Sequence, residues 1–569
     1  MIPRAFRYRL AAGTLALLGA AAAVQAQVAA PPAATLGNPL NQLPTAPANP
    51  SATRTPQVDV QAPQGAAAGG LERQVTATRF DIEGVKALPF ADVARIFMPL
   101  VGQPLPLARL VAASREATAL YAAADQPLSF VFLPEQNFAG GVVRVVAVEA
   151  YVANIRIEGD AGPGAERLRL IAEQLQDQRP LRRAQFERVT QLLGRLPGLK
   201  VVAEAALPGT TDGATTLVLK VTRKPYNVSV GADLRQPRSR AVLSGSYYDP
   251  FGSGSELSAS TLIGDPKRER LFTIGASQLV GSDGLSIKAN LSSYRGYPDN
   301  ALGRGAATER YNTQERVDLS ASYPLWLSAQ ESLALTGGFY AVDNIDSYRL
   351  RAQGQWLSEE ARIRAFYAQL AYAKQTATRS RQASLMLARG IDGAGADART
   401  RSNVPGVSGP GTAKLDFTRL SLDLAQRDRF ANQWGTAVMF GAQYSPDTLA
   451  ATERVSFGGP RYGRGYAAGD GAGDRGAGVG LELNRLFKLD YALLKQVEPY
   501  LLVEAAKVST RIGVPAVETL RSVALGIRLS DARHYSLDLA IAKPTGDPAP
   551  TNPARKPRLT VMLSYQLDT

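Results

Sequence analysis

The sequence predicts a mainly β protein: a sixteen-stranded antiparallel transmembrane β-barrel preceded by two small α+β domains. Three observations carry this. From residue 224 to the C-terminus, helical periodicity gives way to two-residue alternation. Between residues 76 and 223 a β-α-α-β-β order occurs twice. The chain also opens on an export leader, and no later apolar run is long enough for a membrane helix.

In the leader, Arg4, Arg7 and Arg9 form a basic start, Leu10 to Ala23 is a short apolar run, and Val24-Gln25-Ala26 fits a small-residue cleavage site. The expected mature chain starts after Ala26. Residues 27–75 are rich in alanine, proline and glutamine and hold too few large apolar side chains to bury a core, so they read as a linker.

The first α+β unit is assigned to 76–150. "RFDIEGV" reads as a strand. "PFADVARIFMPL" is a helix opened by proline, with Val93, Ile96 and Phe97 on one face. "LARLVAASREATALY" places Leu107, Leu110, Val111, Ser114, Ala117, Thr118 and Tyr121 at helical spacing, and "LSFVFL" and "GVVRVVAVEA" are strands. The second unit, 151–223, repeats the order: "YVANIRIEG", then two helices, the second with Phe186, Val189, Leu192, Leu193 and Leu196 on its apolar face, then "GLKVVAEAAL" and "TTLVLKVT".

In residues 224–569 the alternation suits a closed barrel with apolar residues outward. Tyr535, Leu537, Leu539 and Ile541 share one face of their strand; Leu559, Val561, Leu563, Tyr565 and Leu567 share one face of another. Tyr226, Val228 and Val230 do the same near the start, and Asp233, Asp538 and Gln566 fall on the inner side. Strands of nine to eleven residues fit a tilted bilayer crossing. The alternation slips phase near Thr418-Arg419, which predicts a bulge. Segmentation gives about seventeen strands. Bacterial single-chain barrels close with even numbers, so the surplus is placed in 332–391 and sixteen are predicted.

Composition excludes several chemistries. The chain has no cysteine and one histidine, His534, so disulfides, thiolate metal sites, cysteine nucleophiles and multi-histidine centres are out. There is no phosphate-binding loop and no nucleophile elbow, and Asp470 and Asp474 lack the spacing of a calcium loop. No catalytic, cofactor-binding or metal-binding residue is predicted. The net charge is +14, or +11 without the three leader arginines, and it is spread along the chain. With an export leader, this favours anionic lipid headgroups or a polypeptide over nucleic acid as partner.

One stretch stands out: "GGPRYGRGYAAGDGAGDRG", residues 458–476. Its glycines permit tight turns and close backbone approach. An arginine carried into a polar lumen on such a loop can bind a carboxylate with both arms of its guanidinium.

Several segments together resemble the transporters of two-partner secretion, the family of haemolysin and filamentous-hemagglutinin exporters. "FDIEGVKALP" and "LPEQNFAGGVVRVVAVEAYVANIRIEG" resemble the start of a first POTRA (polypeptide-transport-associated) module and its junction with a second; "RLPGLKVVAEAALPGTTDGATTLVLKVT" resembles the second module's end. "GAQYSPDTLAATERVSFGGPRYGRGY" resembles the lead into an extracellular loop that folds back into the lumen, and "VEPYLLVEAAKV" a strand with an inward acid. The resemblance implies an outer-membrane transporter with periplasmic POTRA domains that moves an unfolded partner, a large adhesin or cytolysin, to the cell surface. It implies contact with outer-membrane lipids including lipopolysaccharide, insertion by the barrel assembly machinery, and a monomer without cofactors. Gly458, Gly459, Arg464, Gly465 and Tyr466 become the functional loop residues and Glu504 the acid that pairs with Arg464. Two departures are visible: the chain ends Tyr565-Gln566-Leu567-Asp568-Thr569 where the family often ends on an aromatic residue, and no plug helix is evident in the Pro-rich segment. An outer-membrane protein insertase of the same superfamily and a passive porin are the alternatives.

Overall fold

A computed structural model describes residues 71–233, 240–252, 254–297, 308–350, 353–459, 461–550 and 552–567. The leader and most of the linker lie outside the described residues.

In the first α+β unit, helices α1 (Phe90–Phe97) and α2 (Leu107–Ala123) cover a three-stranded sheet. Val93 and Phe97 of α1 and Leu110, Ala113, Ala117 and Tyr121 of α2 are buried, one stripe per helix at helical spacing. Strand Arg79–Glu83 pairs parallel with Val142–Val148, whose other edge takes Phe130–Phe132 antiparallel. Ordered pairing begins earlier than the linker assignment implies: Gln74–Thr76 pairs with Pro104–Pro106 and buries Val75.

The second unit has the same topology. Helices α3 (Ala165–Glu173) and α4 (Arg183–Leu193) pack on a sheet in which Tyr151–Gly159 runs parallel to Ala214–Arg223, with Leu199–Ala205 antiparallel on the other edge. Leu168, Ile171, Phe186, Val189, Leu192 and Leu193 meet Leu217 and Leu219 in its core. Burying each such side chain contributes about 1.5–3 kcal/mol. The two units are tied at the foot of α4. Asp125, in left-handed conformation at the end of α2, accepts Arg183 N through its carbonyl (2.8 Å) and Ala184 N through its carboxylate (3.2 Å).

The barrel closes with sixteen staves among the described residues. They are β1 (Tyr226–Asp233), β2 (Arg240–Tyr248), β3 (Ser255–Ile263), β4 (Glu269–Val280), β5 (Leu285–Gly296), β6 (Thr308–Leu327), β7 (Glu331–Leu350) and β8 (Gln355–Gln375), then β9 (Arg379–Gly390), β10 (Thr418–Arg429), β11 (Trp434–Tyr444), β12 (Arg475–Arg485), β13 (Gln496–Ser509), β14 (Thr519–Ser530), β15 (Tyr535–Pro544) and β16 (Arg558–Leu567). All neighbours are antiparallel, and β16 closes on β1 through the pairs Met562–Asp233 to Leu567–Val228. Leu525, Leu559 and Ile541 point outward and are exposed, while Asn227, Ser229, Asp233 and Thr560 are buried on the inner side. That is the polarity of a barrel whose outer band faces hydrocarbon.

Two expectations change. The bulge at Thr418-Arg419 is absent: β9 and β10 pair in continuous register from Arg389–Thr418 to Arg379–Asp428. The phase slips because β10 only begins at Thr418; Phe417 precedes it and is fully buried by a loop route. The register shift in the barrel pairings falls instead at Pro324/Trp326, where a proline cannot donate to the ladder. Secondly, β7 and β8 run to 20 and 21 residues, about twice a bilayer crossing. A ten-residue yardstick divides such a stave in two, the source of a surplus strand in 332–391.

The second α+β unit is docked on one rim. Arg167 Nη1 donates to Gly281 O (2.5 Å), Gln174 Nε2 to Ser282 O (2.9 Å) and Arg188 Nη2 to Asp283 O (3.2 Å). Ala329 N donates to Glu187 Oε2 (3.1 Å), and Leu327 is buried in the domain's own core. The connections β4–β5 and β6–β7 therefore mark the rim facing the α+β units, and the long connections, including 445–474, belong to the other end.

Candidate functional site

The connection between β11 and β12 turns into the lumen as a narrow hairpin, Val455–Phe457 pairing antiparallel with Gly471–Gly473. Its apolar residues explain why it stays there. Val455, Phe457, Tyr462 and Tyr466 pack with Val508 and Leu520 in a cluster within the lumen. Phe457 and Tyr462 meet edge to face at 5.5 Å between centroids.

The glycines make room for this. Gly458 has φ +110°, and a Cβ there would lie 2.3 Å from Ala467 O. Gly465 lies so close to β15 that a Cβ would stand 2.5 Å from Pro544 N. Gly459 N donates to Tyr466 O (3.1 Å), closing the turn around the arginine.

Arg464 and Glu504 are brought together, but through the wrong atoms for the expected ion pair. Glu504 Oε2 accepts the backbone N–H of Gly463 (3.0 Å) and of Arg464 (2.8 Å), together with the hydroxyl of Ser522 (2.8 Å). A carboxylate held by several donors anchors a turn of backbone. The physical reason for the correction is direction: the Arg464 side chain leaves the turn away from Glu504. Its Nη1 donates to the Tyr500 hydroxyl and lies 3.4 Å from Asp538 Oδ2. Tyr500 in turn donates to Asp538 Oδ1 (2.7 Å). Arg528 stacks over the other part of this group, 4.2 Å from the Tyr500 centroid, and forks onto Glu482 at 2.8 and 2.6 Å.

Tyr466 is buried and donates to Asp547 O (3.0 Å), so the tip of the loop is also tied to the β15–β16 connection. Arg461 reaches Asp423 of β10. Asp470 and Asp474 are occupied by backbone donors: Asp470 accepts Ala467 N (2.7 Å), while Asp474 accepts Leu449 N (2.9 Å) of the same loop and Arg511 N (2.7 Å) of the β13–β14 connection. His534 lies in the turn before β15, its Nδ1 2.7 Å from Asp531.

Sequence reasoning missed Tyr500 as a partner and named Asp538 only as an inward residue. Two-residue alternation was the signal available: Tyr500, Leu502 and Glu504 share the inner face of β13, and Asp538 that of β15.

Comparison with known proteins agrees with this architecture. Residues 75–150 match the family described as "POTRA domain, ShlB-type", and residues 256–529 match "Haemolysin secretion/activation protein ShlB/FhaC/HecB". The outer membrane transporter CdiB of Escherichia coli is 26% identical over 435 residues, covering 73% of this chain and 70% of CdiB. The structure of CdiB from Escherichia coli superposes with a TM-score of 0.64 at 21% identity, over 91% of this chain and 95% of that one. CdiB from Acinetobacter baumannii gives 0.55 at 15% identity, over 90% and 94%. A closed lumen entered by a folded-back loop, with two POTRA domains at one rim, defines an outer-membrane β-barrel transporter whose POTRA domains are periplasmic. Within that class the chain is similar to the ShlB/FhaC/HecB proteins and to CdiB, transporters of two-partner secretion.

Proposed function

We propose that this transporter recognises one large unfolded exoprotein in the periplasm and passes it through the lumen to the cell surface. The observation that carries the reading is the inward loop, held across a polar lumen by contacts that can exchange, beside a POTRA domain fixed at the periplasmic mouth. The partner adds a strand to an edge of a POTRA sheet, of which Arg79–Glu83, Phe130–Phe132, Tyr151–Gly159 and Leu199–Ala205 are the candidates. It then displaces the loop tip, threads the lumen and folds outside, and that folding drives transport. Gly458, Gly459, Gly465 and Tyr466 shape the tip; Arg464, through Tyr500 and Asp538, holds it in the arrangement that transport requires, with Glu504 fixing its backbone. The barrel works as a monomer, inserted by the barrel assembly machinery and surrounded by phospholipid and lipopolysaccharide.

The test is co-expression with the large exported polypeptides of the same genome, each scored in the medium with and without the transporter. Arg464→Ala at wild-type membrane level is expected to abolish release of the cognate partner. Release at the wild-type rate overturns the role of Arg464. Purified transporter that folds added barrel proteins in liposomes, yet moves no partner, overturns export in favour of insertion.

A further inference from the structure

The loop has a base as well as a tip, and the base carries a second buried charge. Glu453 lies just before the hairpin strand Val455–Phe457 and is 1% exposed. Its Oε2 accepts the hydroxyl of Tyr340 on β7 (2.7 Å) and lies 3.4 Å from Arg419 Nη2 on β10. Tyr340 and Arg419 are themselves 0% and 2% exposed. The surroundings are built to match. The Arg316 guanidinium stacks 4.3 Å from the Tyr340 centroid and donates to Asp318 (3.0 Å), which also accepts the Tyr367 hydroxyl (3.2 Å). Beside this network Leu449 and Ala450 sink into an apolar cluster with Tyr340, Phe417 and Met386. Gln443 Nε2 donates to Glu453 O (2.9 Å), fixing the backbone beneath the carboxylate.

We infer that Glu453, with Tyr340 and Arg419, is a second anchor that holds the base of the inward loop independently of Arg464. The base rests on the wall from β6 to β10, whereas the Arg464 group belongs to β13–β15. The two polar networks share no side chain. A charge pair desolvated this completely adds little net stability, but removing one member strands the other in a water-poor site. Such a pair fixes position. It makes Glu453 a positioning residue for the loop, and it makes displacement of the tip a pivot about a fixed base. This rests on the reading that the loop must move during export, but the position of the loop can be measured without any partner.

Because the chain has no cysteine, a single Ala467→Cys substitution places one thiol at the buried tip. Its rate of labelling by a small cationic methanethiosulfonate reagent, on the full transporter purified in detergent, reports release of the loop. Heat-modifiable migration on gels confirms a folded barrel in each variant. Arg464→Ala alone frees the tip to swing about its base and is expected to raise labelling only modestly. Adding Glu453→Gln is expected to raise it by about tenfold or more, the factor that loss of a charge-assisted hydrogen bond gives a local opening equilibrium. Tyr340→Phe, which removes only the hydroxyl, shifts the rate in the same direction. If Arg464→Ala alone labels as fast as the double variant, the tip is the sole anchor and the inference fails. It fails equally if the double variant labels as slowly as the parent.

Discussion

The second POTRA domain and the barrel use the same alternation with opposite polarity. In Ala214–Arg223, Leu217 and Leu219 turn inward against helices α3 and α4 and are fully buried. In β16 the apolar residues Leu559 and Tyr565 turn away from the enclosed space, and Thr560 is buried instead. The strand geometry is the same; what differs is the solvent each face meets. Inside means apolar only where the outside is water, and the barrel reverses it because its outside is hydrocarbon.

The strongest way to break this comparison is a carboxylate in the POTRA core. Leu168→Asp puts an unpaired carboxylate among Ile171, Val189 and Leu217, a change expected to cost about 4–5 kcal/mol, the range of the most damaging point mutations. Rapid proteolysis of the second domain in the full chain, with the barrel still heat-modifiable, is the expected result. A next, smaller effect comes from a charge on the lipid face: Leu525→Arg should cost about 2–4 kcal/mol, read as a lowered barrel-unfolding midpoint, because this outward residue is 62% exposed. An unchanged midpoint would mean that β14 does not face hydrocarbon there. Smaller again, Gly465→Ala forces a methyl against the β15 backbone and should cost about 1–3 kcal/mol of loop docking, seen as faster proteolysis within 458–476 and not as a changed barrel midpoint. At the bottom of the scale, Arg144→Ala removes a surface pair with Glu83, 2.8 Å apart but solvent-exposed, and should leave the thermal midpoint and export unchanged.

Much of the fold was legible because it is periodic. Alternation over Tyr535–Pro544 and Arg558–Leu567 assigns inside and outside without any knowledge of neighbours, and the repeated β-α-α-β-β order predicts two like domains. Boundaries were less legible. The alternation around Thr418 is read as one strand with a fault, because nothing local says that Phe417 reaches its buried position by a loop. The long staves exceed what a bilayer requires, and their outer halves obey the same pattern as their membrane halves, so no sequence signal marks the crossing. In the site, Arg464 and Glu504 could be named through the family resemblance, but not which atoms would meet. That depends on the turn at Gly463, which aims the two backbone amides at one acid and the guanidinium at another. The Tyr340–Glu453 contact spans 113 residues of sequence and leaves no local trace.

The docking of α3 and α4 on the rim has a mechanical consequence. Arg167, Gln174 and Arg188 grip the hairpin between β4 and β5, and the domain holds the one between β6 and β7 through Glu187, with Leu327 of β6 buried in the domain's core. β6 and β7 are also the staves that carry Arg316, Asp318 and Tyr340. A hydrogen-bonded ladder is stiff along its strands, so a load that tilts the second POTRA domain enters the barrel at the roots of these two staves. The domain is thus a lever whose short arm ends beneath the base of the loop.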